Sequence, residues 1–427
     1  MPRVLLLSTT TGYQLRSFSE AAERLGIELA LATDRCHLLD DPWQDQAIPV
    51  RFFDDEESLE AISRAAHERP FSGVIAVGDR PAVLAARVTQ LLRLSGNPPE
   101  AAEATGNKKL MRRKFAAAGL PVPWWLELPA TAEAHDVAAR VRYPCVVKPL
   151  GLSGSRGVIR ADTPRQLEYA VARVRALLAR PAVRAHRRGL EMELLIEGYI
   201  EGREYAIEAL LTRGELRVLA IFDKPDPLEG PFFEETIYVT PIDVPWQVQH
   251  AMAEQLQRAT AALGLVHGPI HAECRVGSAG VVMLEVASRP IGGLCSKMLR
   301  FTAGSEHASL EEVLLRHATG EDVSPYMREE PASGVMMIPI PKRGLFKGVM
   351  GEDGARAAAH VEEVHITAKV DQLLEPLPEG DSYLGFIFAH AGQAADVVAA
   401  LRESHRRLHF HITPDIAVET QNTEHRT

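Results

Sequence analysis

The chain has 427 residues, of which 46% are hydrophobic and 24% charged, with a formal net charge of −10. This composition suits two or three globular domains sharing several cores. The acidic balance argues against a nucleic-acid binder, whose footprint would be basic, and no apolar stretch approaches the ~20 residues needed to span a bilayer.

The first elements read as alternating strand and helix. "RVLLLSTTTG" is a buried parallel-strand pattern running to Gly12, followed by a helix, "SFSEAAERLG", and a second strand, "IELALATD". "SGVIAVGD" and "RPAVLAARVTQLLRL" repeat the theme, which implies a parallel sheet with covering helices. A lone Gly12 is not a GxGxxG fingerprint, so this unit reads as a Rossmann-like scaffold without a dinucleotide. It ends between Asn107 and Gly119, after the turn-rich "SGNPPE".

The pattern then changes. "YPCVVKPLGLSGSRGVIRA" reads as strand, glycine-rich loop, strand. Thr163 as N-cap and Pro164 in the first turn open the helix "PRQLEYAVARVRALLAR". The basic stretch "RPAVRAHRRG" (180–189) has no interleaved aromatics and reads as a solvated loop. "EMELLIEGYIEGREYAIEALLTRGELRVLAIFDK" predicts antiparallel strands. The helix "QHAMAEQLQRATAALG" leads into a hairpin, and the helix "SLEEVLLRHATG" follows it. A polar linker near "SPYMREEPASG" starts a third unit containing "GVMMIPI", "GFIFAHAG" and the helix "QAADVVAALRESHRRL", with a polar tail from about Glu419.

The four cysteines, Cys36, Cys145, Cys274 and Cys295, are far apart and form no CxxC, so neither a disulfide scaffold nor a zinc ribbon is expected. Three of them sit in apolar or strand-like surroundings, where a free thiol packs as a small hydrophobe. The N-terminal apolar run is too short, and its continuation too polar, for a signal peptide. A cytoplasmic protein is the expectation.

Three segments carry chemistry. In "HAECRVGSAGVVMLEVASRP", two strand runs flank a turn centred near Ala279, which places Glu273 directly opposite Glu285 on one face, with His271 and Arg275 beside Glu273. Like charges so placed destabilise a sheet. A cation offsets them, Mg²⁺ or Mn²⁺ suiting oxygen ligands without thiolates, or one carboxylate has a raised pKa, or Glu273–Arg275 and Glu285–Arg289 are surface ion pairs. His267 and His271 are four apart but on a strand, so they are not a helical zinc pair. In "VVKPLGLSGSRGV", a strand-borne Lys148 precedes Gly151, Ser153, Gly154, Ser155 and Gly157, a loop able to close backbone N–H groups on phosphate or simply a flexible turn. No GK[ST] follows, so it is not a Walker loop. "LLIEGYIEGREYAIE" offers main-chain groups for a purine edge and acids for ribose hydroxyls, or only a polar turn between strands.

These features in this order resemble the ATP-grasp superfamily of carboxylate–amine ligases. The resemblance implies an α/β, ATP-grasp fold: an N-terminal Rossmann-like parallel-sheet domain (1–117), an ATP-grasp domain (118–325, with a lid at about 118–195 and a large part at about 196–325), and a C-terminal α+β domain (326–427). It implies ATP and Mg²⁺ (or Mn²⁺) as cofactors. "GNKKLMRR" would supply a first phosphate lysine, Lys108, and Lys148 the second, with Gly151–Gly157 closing over the phosphates. Glu197 and the main chain at Tyr199 and Ile200 would meet adenine, Glu204 the ribose, Glu273 and Glu285 the metal, and Arg289 the oxyanion of acyl transfer. Many members carry Asn two residues after the second Glu, where this chain has Ala287. "GVMMIPIPKRGLFKGVMG" and "PLPEGDSYLGFIFAHAG" are similar to the C-terminal domain of L-amino-acid ligases, which join two amino acids into a dipeptide. "GPFFEETIYVTP" looks like their substrate-proximal strand, making Glu234 and Glu235 candidates for amine recognition or a metal shell. His267 and His271 are candidate bases, and Gly292 and Gly293 would leave room in an acyl pocket. The partners implied are small-molecule amino acids and a second copy of the chain in a homodimer, with no nucleic acid and no membrane. The alternatives are a purine-pathway or D-alanine-ligase-like enzyme, a non-catalytic ATP sensor and, from the N-terminal pattern alone, a dehydrogenase.

Overall fold

The strand Arg3–Ser8 carries "VLLL" with no polar alternation because both of its faces are covered. Leu5 and Leu7 pack towards the helix Asp79–Leu92, while Val4 and Leu6 join Phe18 of the helix Leu15–Leu25. In this computed structural model, residues 1–9, 14–34, 47–52, 54–184 and 192–415 are described. Gly12, Cys36, the basic stretch beyond 184 and the polar tail lie outside the described residues. Arg3–Ser8 is flanked in parallel by Glu28–Thr33 and Gly73–Val77, and Ile48–Pro49 pairs beyond Glu28–Thr33. This is the parallel sheet that the alternation predicts.

A second, antiparallel sheet of four strands runs in the order Trp125–Leu128, Leu194–Gly198, Cys145–Pro149, Ile159–Ala161. The helix Pro164–Ala179 covers it with Leu167, Val171, Val174 and Leu178. Thr163 caps that helix by accepting from the N–H of Gln166, as the sequence predicts, a bond contributing about 1 kcal/mol.

The third sheet has eight antiparallel strands. From one edge it runs Gly280–Ala287, Gly268–Gly277, Arg203–Thr212, Glu215–Asp223 and Ile237–Thr240. It continues through Ala332–Ile338, Gly385–Ala391 and Val361–Ile366 without a break. The linker expected near 326 therefore joins two parts of one sheet, and the C-terminal strands extend the large part of the grasp. The helix Trp246–Leu263 packs Met252, Leu256, Ala259 and Leu263 on one side of this sheet. Cys145, Cys274 and Cys295 are buried and free, and burial pushes the thiols of Cys145 and Cys274 up to about 12.

Candidate active site

Between the four-stranded and eight-stranded sheets lies a cavity lined by charged side chains from both. Its floor is the hairpin Gly268–Gly277 and Gly280–Ala287, where Glu273 pairs in register with Glu285 as the sequence predicts. The register holds a bulge that the sequence did not announce. Near the turn Cys274 faces Met283, but past it Glu273 faces Glu285, so Leu284 is an extra residue. Its effect is on side-chain phase. Val281 and Met283 point into the core beneath; uninterrupted alternation would send residue 285 after them. The bulge returns Glu285 to the cavity face and lets Val286 fill the core instead.

Lys108 is the first residue of the helix Lys108–Ala117, capped by Asn107, whose side chain accepts from the N–H groups of Lys109 and Leu110. Its ammonium donates to the Leu152 carbonyl at 2.7 Å and lies 3.3 Å from Glu285. Lys148 pairs with Glu197, which also receives Arg112 Nε at 2.8 Å. Burial would raise the Glu197 pKa, but the adjacent Arg112 and Lys148 charges bring it down to about 2. The Glu197 carboxylate is thus the buried anchor of two cations.

The glycine loop turns through Gly154 and Ser155, both with φ near +60°. Ser153, Gly154 and Ser155 line the cavity; Gly151 is exposed, and Gly157 is buried against Pro149 and Leu177. The loop is held from outside: Gly157 donates its N–H to the Pro378 carbonyl, and Arg156 pairs with Asp381. Arg173 makes a two-pronged bond to Glu379 at 2.6 and 2.8 Å, and Arg180 reaches Glu375.

A buried cluster of one ammonium and three carboxyl groups stands next to the hairpin. The ammonium of Lys224 donates to Glu204 at 2.8 Å, to Glu273 at 2.9 Å and to Glu235. Glu204 gives its other oxygen to Arg275 Nε at 3.0 Å, and the Tyr238 hydroxyl donates to Glu235 at 3.0 Å. Among the described residues, Glu204, Glu235 and Glu273 are the one compact trio of potential metal-ligating groups, and Lys224 already supplies a cation to each of the three. Burial divides the trio: it pushes Glu235 up to about 8, whereas at Glu273 the Lys224 charge overcomes burial and holds the carboxyl well below its ordinary value.

Arg289 points into the cavity from just beyond the hairpin. Its Nε and Nη2 donate to the two carboxylate oxygens of Asp79 at 2.6 and 3.3 Å, and Nη1 to the Pro290 carbonyl at 3.0 Å. The surface pairs Glu273–Arg275 and Glu285–Arg289 do not form; each arginine is taken by a different acid. His271 lines the cavity and sets Nδ1 3.1 Å from the fully buried Glu208. Both oxygens of Glu208 also accept from the N–H of Ile291.

Tyr199, Ile200, Gly292 and Gly293 line the cavity, the last with φ +63° and with the Phe386 ring where a Cβ would stand. Glu234 and His267 do not: Glu234 is half-buried outside it, and His267 stacks on His317 with ring centroids 4.4 Å apart. Tyr238, which lines the cavity, and Asp79, Glu208 and Lys224, which bond side chains that line it, were not singled out by the sequence reading.

Three family descriptions match the chain: ATP-grasp N-terminal domain over residues 19–96, ATP-grasp domain over 141–298, and L-amino acid ligase C-terminal domain 2 over 336–413. The fold is thus the mixed α/β ATP-grasp fold. The crystal structure of L-amino acid ligase from Bacillus licheniformis superposes with a TM-score of 0.82 at 27% identity, covering 97% of this chain and 99% of that one. The uncharacterized protein y4rH of Sinorhizobium fredii is 25% identical over 430 residues, 97% of this chain and 84% of its own length. D-alanine–D-alanine ligase of Bordetella pertussis is 26% identical over 225 residues, 51% of this chain and 67% of that enzyme.

Proposed function

The chain is built on an ATP-grasp domain that runs on into an L-amino acid ligase C-terminal domain 2, and on that premise we propose that it is an ATP-dependent ligase joining the carboxylate of one amino acid to the amine of another. The observation that carries this reading is the convergence, on one cavity, of Lys108, Lys148, Ser153, Glu273, Glu285 and Arg289 from separate parts of the chain.

Phosphoryl transfer needs alignment and charge neutralisation more than protein nucleophiles. Lys108 and Lys148 orient the phosphates, with Lys148 pinned by Glu197. The loop at Ser153–Ser155 covers them, and the main chain at Tyr199 and Ile200 receives the adenine. Glu204, fixed by Lys224 and Arg275, keeps acceptor lone pairs for the ribose hydroxyls. Two carboxylates opposed on one face fit a hard divalent cation; Glu273 and Glu285 would hold Mg²⁺ or Mn²⁺, which supplies charge neutralisation at the phosphates. A substrate carboxylate oxygen attacks the γ-phosphorus, releasing ADP and leaving an acyl phosphate. The neutral amine then adds to the acyl carbonyl while Arg289 donates to the oxyanion; the C–O bond to phosphate breaks, phosphate leaves with that electron pair, and the proton lost by the nitrogen ends on the phosphate as the amide forms. Glu235, its pKa raised by burial and its oxygens joined to Tyr238 and Lys224, recognises an ammonium group of the first substrate, whose charge returns the carboxyl to its ionised form. The loop, shut against the C-terminal segment, excludes the water that would hydrolyse the acyl phosphate. The homodimer remains part of this proposal on the ground of resemblance.

The test is phosphate release with ATP and Mg²⁺ across a matrix of amino-acid pairs, with products weighed by mass spectrometry. Release that requires both amino acids, together with a dipeptide mass, is expected. Background release with every pair would overturn the reading.

A further inference from the structure

Residues 288–291 join the hairpin floor to the acyl side of the cavity, and they are held by residues far away in the chain. Ser288 Oγ lies 3.2 Å from Thr105 Oγ1. The Arg289 guanidinium is gripped by Asp79, and the Ile291 carbonyl accepts from the side chain of Gln14. On the other side, the Ile291 N–H is shared by the oxygens of Glu208. Asp79, Gln14 and Thr105 belong to the N-terminal portion, from which the nucleotide chemistry draws Lys108 but none of these three. Asp79 is the first residue of the helix Asp79–Leu92, one residue (Gly78) beyond the strand Gly73–Val77, so its backbone is set by the parallel sheet.

We infer that Asp79 is the positioning residue for Arg289: the N-terminal domain serves the reaction by fixing the plane of the guanidinium that meets the oxyanion. This rests on the ligase reading above. The geometry supports it in two ways. A two-pronged carboxylate–guanidinium bond fixes direction as well as distance, because both groups are planar. It also uses one side of the fork. Of the five N–H groups of Arg289, three are bound to Asp79 or Pro290, and two have no protein partner among the described residues. Those two belong to Nη1 and Nη2, on a residue that lines the cavity. A donor pair fixed before the oxyanion forms needs no reorganisation during the reaction, which is where such donors gain their effect. Without Asp79 the long side chain would regain its rotamers, and a 1 Å displacement can cost about 10²-fold in rate.

A double-mutant cycle tests this. Asp79→Ala, Arg289→Ala and the double variant are compared with the wild type for amide formation and for KM of ATP, with thermal melts as the folding control. Asp79→Asn, nearly isosteric, stands in should Asp79→Ala fail to fold. Asp79→Ala is expected to lower kcat for the amide by about 10²-fold with KM for ATP unchanged. Asp79→Asn, which keeps one acceptor oxygen, should lose less. Ser153 and Lys108 also border Asp79, but on this inference its effect on the amide step runs through the arginine, so the double variant should be no slower than Arg289→Ala. Additive losses would overturn the inference, as would a rise in KM for ATP at constant kcat, or an Asp79→Ala enzyme as fast as the wild type. A wild type that forms no amide sinks the ligase reading and this inference together; an active wild type with additive losses sinks this inference alone.

Discussion

Glu197 is 1% exposed and carries two cations, so its partners cannot be removed singly at small cost. Taking one partner from a buried ion pair leaves an uncompensated charge, which typically costs 3–5 kcal/mol. Arg112→Met leaves Glu197 paired with Lys148 but strips one cation from it and the donor from the Leu284 carbonyl, so a smaller loss of about 1–3 kcal/mol is expected in urea titration; a loss below about 1 kcal/mol would show that water reaches Glu197. The pH dependence has a definite sign. The folded carboxyl titrates at about 2, below its unfolded value, so its contribution is present above about 4.5 and lost as pH falls towards 2. Glu197→Gln should flatten that part of the stability profile. Lys148, Glu273 and Glu285 were legible in the sequence because each is a charge inside an apolar strand run. Asp79 was not, since an acid in the first turn of a helix is ordinary and its partner lies 210 residues further on. Lys224 was equally silent: at the end of "AIFDK" it reads as the frayed end of a strand. Its environment is made by Glu204, Glu235 and Glu273, none of which neighbours it in sequence.

At the scale of elements, the strands and helices were readable from periodicity, and the bulge at Leu284 was not. "VVMLEVA" alternates acceptably in either phase; only pairing against Gly268–Gly277 shows where the phase slips. The seam between the glycine loop and the C-terminal segment was invisible for a similar reason. Arg156, Arg173 and Arg180 look like solvated charges until 375–381 is laid against them. Glu379→Arg should break the two-pronged bond and set two like charges together. The loop around Gly157 is then expected to exchange its amide hydrogens faster, read by mass spectrometry without any substrate. Adding Arg173→Glu should restore slow exchange. Equal exchange in wild type and Glu379→Arg would show that the loop is held without the Arg173–Glu379 pair.

For the whole molecule, the boundary expected near 326 falls inside one continuous sheet. Ile237–Thr240 meets Glu215–Asp223 through the single pair Asp223–Val239, but meets Ala332–Ile338 through four. A chain ending at residue 326 would leave that strand almost unpartnered, with Tyr238 and Glu235 unsupported and an apolar edge open to aggregation. Such a fragment should be insoluble or polydisperse in size-exclusion chromatography; a monodisperse fragment that still binds ATP would show that the C-terminal strands are dispensable.

That same pairing sets a timetable. During synthesis Ile237–Thr240 leaves the ribosome roughly 90 residues before its main partner, a delay of about ten seconds at ordinary elongation rates. For that interval the nascent chain carries a half-finished sheet whose next strand has not been made. Folding of the ATP-grasp portion is thereby tied to the arrival of the C-terminal strands, and slow codons between 240 and 332 would lengthen the vulnerable period more than slow codons elsewhere.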